Sequence, residues 1–174
     1  MPRHVTPRLE WLNGLSPDAA TSELLRCCGS RRWSSAMAAR RPFADRDELL
    51  DTADEIWTKL GHDDWLEAFS HHPRIGGDDA QTDRFRPTRD WSASEQSSVD
   101  AADGSLRQRL REANDRYYER FGYTFLICAT GKSATEMLAQ AESRLANDPD
   151  TEIGIAAGQQ QHVTRLRLGK LLAP

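Results

Sequence analysis

Helix punctuation, repeated along the chain, constrains this sequence more than any other feature. Ser16-Pro17-Asp18 sets a capping oxygen before a proline at a first helical position, and Gly29 stops a segment whose inward side carries Ala20, Leu24, Cys27 and Cys28. A second helix is predicted from Ser30 through Trp33 and Met37 to Arg40, ending before Pro42. A third runs from Asp45 through Leu49, Ala53, Ile56 and Leu60 to Gly61. Residues 63–69 read as a short helix. A long helix is predicted from Ser92 to Arg120, with Leu106, Leu110, Ala113 and Tyr117 as one buried stripe and Asp103-Gly104 as a point where it can break. Residues 123–129 fit a buried strand or an extended connector, and the connector is preferred. Ser133-Ala134-Thr135-Glu136 has capping-box spacing, and Asp148-Pro149-Asp150 precedes a last helix to about Leu172. The expected fold is all-α, a single compact multi-helix domain over residues 1–174 with a long active-site loop.

Composition removes several function classes. The formal net charge is −4, and the 23 basic and 27 acidic residues are interspersed, so no nucleic-acid footprint is expected. The apolar run Phe125-Leu126-Ile127-Cys128-Ala129 is far short of the roughly 20 residues a membrane span needs. Met1-Pro2-Arg3-His4 is not followed by an apolar signal-peptide core, which makes the cytoplasm the expected location. Three cysteines, two of them adjacent, fit packed thiols better than a disulfide framework or a zinc site. Arg31-Arg32 and Arg40-Arg41 read as solvated helix faces.

Chemistry is expected where the helical pattern stops. In Ser70-His71-His72-Pro73-Arg74-Ile75-Gly76-Gly77, Pro73 holds His72 extended, and the glycines let backbone approach a small ligand closely. No sustained periodicity follows from Arg74 to Trp91, and loops of that length commonly line sites. On the last helix, at about 100° per residue from Val163, Arg167 falls near 40° and Leu171 near 80°, inside the apolar stripe. A guanidinium there needs a carboxylate or an anionic ligand, unless it reaches the surface or braces an internal acid. Ser92-Ala93-Ser94-Glu95 is either a capping box or a helix start that receives an anion, and both readings can hold. A metal site at His71, His72, Asp78 and Asp79 is not favoured, because adjacent histidines in extended chain point to opposite sides. His4, His62 and His162 read as ordinary polar positions, His71 as structural or exposed, and Cys128 as a packed thiol.

Several motifs stand in one order: His72-Pro73-Arg74-Ile75-Gly76, then Ser92-x-x-Glu95-Gln96, then Asn114 through Tyr118 to Phe121-Gly122-Tyr123-Thr124-Phe125-Leu126-Ile127-Cys128. Val163-Thr164-Arg165-Leu166-Arg167-Leu168 closes the series. In that register the chain resembles the 2-oxo-4-hydroxy-4-carboxy-5-ureidoimidazoline (OHCU) decarboxylases. Upstream, Leu12-Asn13, Cys27-Cys28, Trp33, Arg41-Pro42-Phe43 and Asp64-Trp65-Leu66-Glu67-Ala68-Phe69 extend the likeness over almost the whole length. Two features depart from many relatives, the extra His71 and the run Gln159-Gln160-Gln161-His162.

The resemblance implies an all-helical homodimer that acts without metal or organic cofactor, removing carbon dioxide from OHCU to give (S)-allantoin in urate breakdown. By position it makes His72 the catalytic proton carrier, with Glu95 and Arg167 as the other polar catalytic residues. It makes Pro73, Ser92, Gln96, Phe125, Leu126, Ile127, Cys128 and Ala129 substrate-contacting. The small-molecule substrate is then the only partner beyond a second copy, with no nucleic acid and no membrane. Two other classes remain open: a helical protein-interaction module using the faces of Arg31, Arg32, Arg40 and Arg41, and metal-assisted hydrolysis.

Overall fold

The computed structural model describes residues 5–77 and 83–174. Met1-Pro2-Arg3-His4, Asp78 and Asp79 lie outside the described residues, and with them part of the metal alternative. Ten α-helices and no strand are found among the described residues, so the all-α expectation holds. The chain divides into two compact units: Met1–Ala68 with Gln161–Pro174, and Phe69–Gln160.

The first unit holds α1 (Pro7–Gly14), α2 (Pro17–Cys27), α3 (Arg31–Ala39), α4 (Arg46–Thr58) and most of α5 (His62–Phe69). Helix α1 went unread in the sequence because its apolar spacing is weak, although Thr6 caps it by accepting from Leu9 N. The next starts obey their signals: Ser16, Ser30 and Asp45 each accept a backbone N–H three residues on. Packing of α2 on α3 and α3 on α4 buries Trp33, whose Nε1 donates to the Ala53 carbonyl at 3.1 Å. Arg41 donates to the carbonyls of Leu12, Asn13 and Leu15 at the end of α1, so it is a structural clamp rather than a solvated face. Arg31 pairs with Glu67, Arg32 with Asp64 and Arg40 with Glu55.

The second unit begins with the turn around His72, where His72 N donates to the Phe69 carbonyl, and a 3-10 segment, Asp83–Thr88. It continues with α6 (Arg89–Glu95), α7 (Ser97–Asp100), α8 (Gly104–Phe121), α9 (Ala134–Arg144) and the first half of α10 (Pro149–Leu171). The predicted long helix is therefore in three pieces, broken at Gln96 and again before Gly104. Helix α8 carries the predicted stripe, with Leu110, Ala113 and Tyr117 buried, and ends at Gly122 in the left-handed region at φ 80°. Ser133 and Glu136 form the predicted capping box of α9.

Residues 123–129 are a buried connector without strand pairing, so side chains must satisfy their backbone. Arg144 Nη1 donates to the Leu126 carbonyl at 2.8 Å, and Cys128 N donates to Gln159 Oε1 at 2.9 Å. Beneath the connector, the Tyr117 hydroxyl donates to Glu152 Oε1 at 2.5 Å, Arg144 Nε donates to the same oxygen at 2.7 Å, and Asn147 Nδ2 donates to Glu152 Oε2 at 2.8 Å. Burial, reinforced by the Glu152 contact, pushes the Tyr117 hydroxyl pKa up.

Candidate active site

A cavity of about 280 Å³ opens in the second unit between the turn after His72, α6 and the start of α8. Pro73, Ser92 and Gln96, three residues singled out from the sequence, line it. The charged lining groups are Arg89, Arg107, Arg111 and Asp100. Pro73 and Ser92 are buried, Arg89 and Gln96 half-buried, Arg107 and Arg111 exposed.

Ser92 is not the helix cap that its local pattern predicts. Helix α6 starts three residues earlier, at Arg89, where Thr88 makes no side-chain cap bond. The 3-10 segment delivers the chain already turned, so Ser92 falls inside the helix on a buried face. Glu95 is half-buried on the last turn of the same helix.

His72 sits in a half-buried turn, while its neighbour His71 is exposed. His72 Nε2 lies 2.7 Å from Oε1 of Gln160, a residue of α10 with no exposed surface. An amide oxygen only accepts, so Nε2 carries the proton in this pair, and in the neutral ring the basic nitrogen is Nδ1. Gln159 and Gln160, part of the run that departs from the family pattern, thus touch two predicted site segments: the connector at Cys128 and the imidazole. The helical wheel contained that signal. Gln160 falls at about 60°, between Arg167 and Leu171, yet its polarity hid its inward direction.

Arg167 lies in the other unit, 3% exposed, as the wheel requires. Its Nη1 donates to the Arg26 carbonyl at 3.3 Å. Nearby, burial raises the pKa values of both Cys27 and Cys28, that of Cys28 to about 12, with Arg167 opposing each shift. These thiols are therefore packed groups, not nucleophiles at neutral pH. Leu166, at about 300° on the wheel, is exposed, outside the inward arc centred on Gln160 and Arg167.

Of the remaining predicted contacts, Phe125, Leu126, Ile127, Cys128 and Ala129 are all buried in the connector. Among the described residues, no group of three His, Cys, Asp or Glu side chains is placed to hold a metal ion. No helix there is long and apolar enough to cross a membrane.

An all-helical chain with a small cation-rich cavity and an imidazole fixed by a buried amide has the make-up of a small-molecule enzyme domain. The chain belongs to the OHCU decarboxylase family, whose sequence profile matches residues 13–169 and so runs through both units. It is 39% identical over 149 residues to the uric acid degradation bifunctional protein TTL of Arabidopsis thaliana, a match covering 84% of this chain and 45% of that protein. The chain thus corresponds to a little under half of that relative's length. It is 28% identical to the OHCU decarboxylase of Mus musculus, with 80% of this chain and 78% of the mouse protein covered. A crystal structure of OHCU decarboxylase in the presence of (S)-allantoin is 37% identical, with a TM-score of 0.76, covering 87% of this chain and 98% of that one. The fold is shared as well with (S)-allantoin synthase, at 17% identity and a TM-score of 0.70, over 97% of this chain and 54% of that one.

Proposed function

We infer that this chain is a carboxy-lyase that decarboxylates OHCU to (S)-allantoin in urate degradation. Family membership over residues 13–169 carries the activity. The observation that supports its placement is the cavity lined by Pro73, Ser92 and Gln96 beside the turn that bears His72.

The substrate carries its carboxylate on the carbon next to a ring C=N. When the carbon–carboxylate bond breaks, carbon dioxide leaves and its electron pair passes into the imine, whose nitrogen takes up a proton. The resulting enol then loses its hydroxyl proton while the former imine carbon gains one, which completes allantoin. No electron sink outside the substrate is required. The protein has to orient the ring, stabilise developing charge and deliver the carbon proton to one face.

His72 is the proposed proton carrier, suited by an imidazole's unperturbed pKa of about 6.5. Its contact with Gln160 supports this reading by defining which ring nitrogen is protonated. Glu95 is the second proposed proton-handling group. Arg167 is assigned an orienting role on its place in the family pattern alone. Backbone groups of Phe125, Leu126, Ile127, Cys128 and Ala129 are proposed to hold the ureido or ring oxygens. The active form is proposed to be a homodimer in the cytoplasm, a reading supported by the resemblance and by three buried cysteines outside any disulfide, which fit a reducing compartment.

Freshly generated OHCU and the circular dichroism of the product test the function. Spontaneous decay has no chiral proton donor and gives a racemate, whereas this chain is expected to give one enantiomer rapidly. Racemic product at the background rate rejects the assignment. His72→Asn is expected to lower turnover about 100-fold or more with an unchanged melting temperature, and normal turnover would remove His72 from its role. The interaction-module reading loses support because Arg31, Arg32, Arg40 and Arg41 all have partners within the chain.

A further inference from the structure

We propose that Arg107 and Arg111, together with Arg89, form a carboxylate-selecting subsite that captures the anionic substrate and discriminates it from the neutral product. The proposal rests on the decarboxylase reading and deepens it by naming the groups that recognise substrate charge.

The first observation is local charge against global charge. The chain as a whole carries −4, yet the cavity lining holds three arginines and one acid, Asp100. The second is geometry. Arg107 and Arg111 are one helical turn apart on α8, which places them on the same face. Gly76, at φ 71°, lets the turn after His72 lie against that face: a Cβ there would meet Val99 Cγ1 at 3.5 Å, Arg111 Cγ at 3.8 Å and the Arg107 carbonyl at 3.9 Å. The loop that carries the imidazole is thereby fitted to the helix that carries the guanidinium groups.

The third observation separates these arginines from others on the same helix. Arg109 faces Glu142 and Arg120 donates to the Asn147 carbonyl, whereas among the described residues no acid pairs with Arg107 or Arg111. A cavity of about 280 Å³ admits a small heterocycle and little more.

Exposure suits these arginines to capture more than to catalysis. A guanidinium locked dry against the departing carboxylate would stabilise the ground state and slow its loss. Two solvated arginines attract the anion at modest strength and leave the barrier nearly untouched. The reaction then removes the attraction, because carbon dioxide and allantoin are both neutral. Charge recognition thus favours substrate entry and product release together.

The decisive variant is Arg107→Gln with Arg111→Gln, set against Arg31→Gln with Arg32→Gln as a control for equal loss of charge. With fresh OHCU at low ionic strength, KM of the cavity variant is expected to rise about tenfold or more while kcat stays within about twofold. The gap from wild type should narrow at about 0.5 M NaCl. An unchanged KM, a fall confined to kcat, or an equal rise in the control overturns the proposal. Calorimetry with N-carbamoylglycine, a small ureido carboxylate, and its neutral amide gives a reading independent of turnover. Weaker binding of the acid alone to the cavity variant supports the subsite. Equal binding of the acid to both proteins, or binding to neither, overturns it. If the wild type does not turn over OHCU, the decarboxylase reading fails while the calorimetry still decides the subsite.

Discussion

Two regions of the second unit use the arginine side chain for opposite ends. Arg144 is buried and held by Glu152, the Leu126 carbonyl and the aromatic faces of Tyr117 and Phe125. Arg107 and Arg111 are exposed at the edge of a concavity, and among the described residues no acid is paired with them. A guanidinium in a dry interior needs a partner to offset its desolvation, and at Arg144 the protein itself supplies one. One at the rim of a cavity pays little desolvation penalty and remains available to a ligand. The environment, and not the residue type, divides scaffold from site.

The largest effect that tests this division is Glu152→Ala. Leaving Arg144 buried without its acid should destabilise the fold by about 3–5 kcal/mol in urea unfolding, whereas Arg107→Gln should lie within about 0.5 kcal/mol of wild type. Similar losses at both positions would break the comparison.

A smaller effect is expected from Tyr117→Phe, which removes one hydrogen bond to a buried carboxylate and should cost about 2 kcal/mol. Its pH signature sharpens the test. Tyr117 has a raised pKa in the folded state, so its contribution is complete below pH 10, the ordinary value for the phenol, and declines as pH rises above it, where the unfolded chain ionises first. The Phe variant should flatten that alkaline decline in stability, and an unchanged slope would contradict the assigned burial.

Smallest of all is the pair of serines that share one local pattern. Ser133→Ala should cost about 1 kcal/mol in thermal unfolding, because a true capping box is lost. Ser92→Ala loses no cap but takes a buried hydroxyl out of the cavity lining, so its effect should appear in KM. An unchanged KM would return Ser92 to the scaffold.

Those serines also mark how far local pattern reading reaches. Ser-x-x-Glu specifies which hydrogen bonds can form around a helix start, but not where the helix begins. At Ser133 the preceding turn leaves the serine outside the helix, and at residue 92 the 3-10 segment has already started it. Gln160 shows the complementary failure: its wheel angle was legible, while its partner His72 lies 88 residues away and no local rule connects them. Arg167 was legible because a charge among aliphatic neighbours conflicts with its surroundings, and that conflict is itself a signal.

By itself the sequence determined the all-α class, most helix boundaries, the buried stripe of α8, the inward direction of Arg167 and the family motifs, because caps, periodicity and spacing act over a few residues. Tertiary structure alone decided that Ser92 is buried, that Gln160 meets His72, and that three arginines from two helices share one cavity. Those facts depend on contacts between distant segments, where packing and desolvation outweigh local preference.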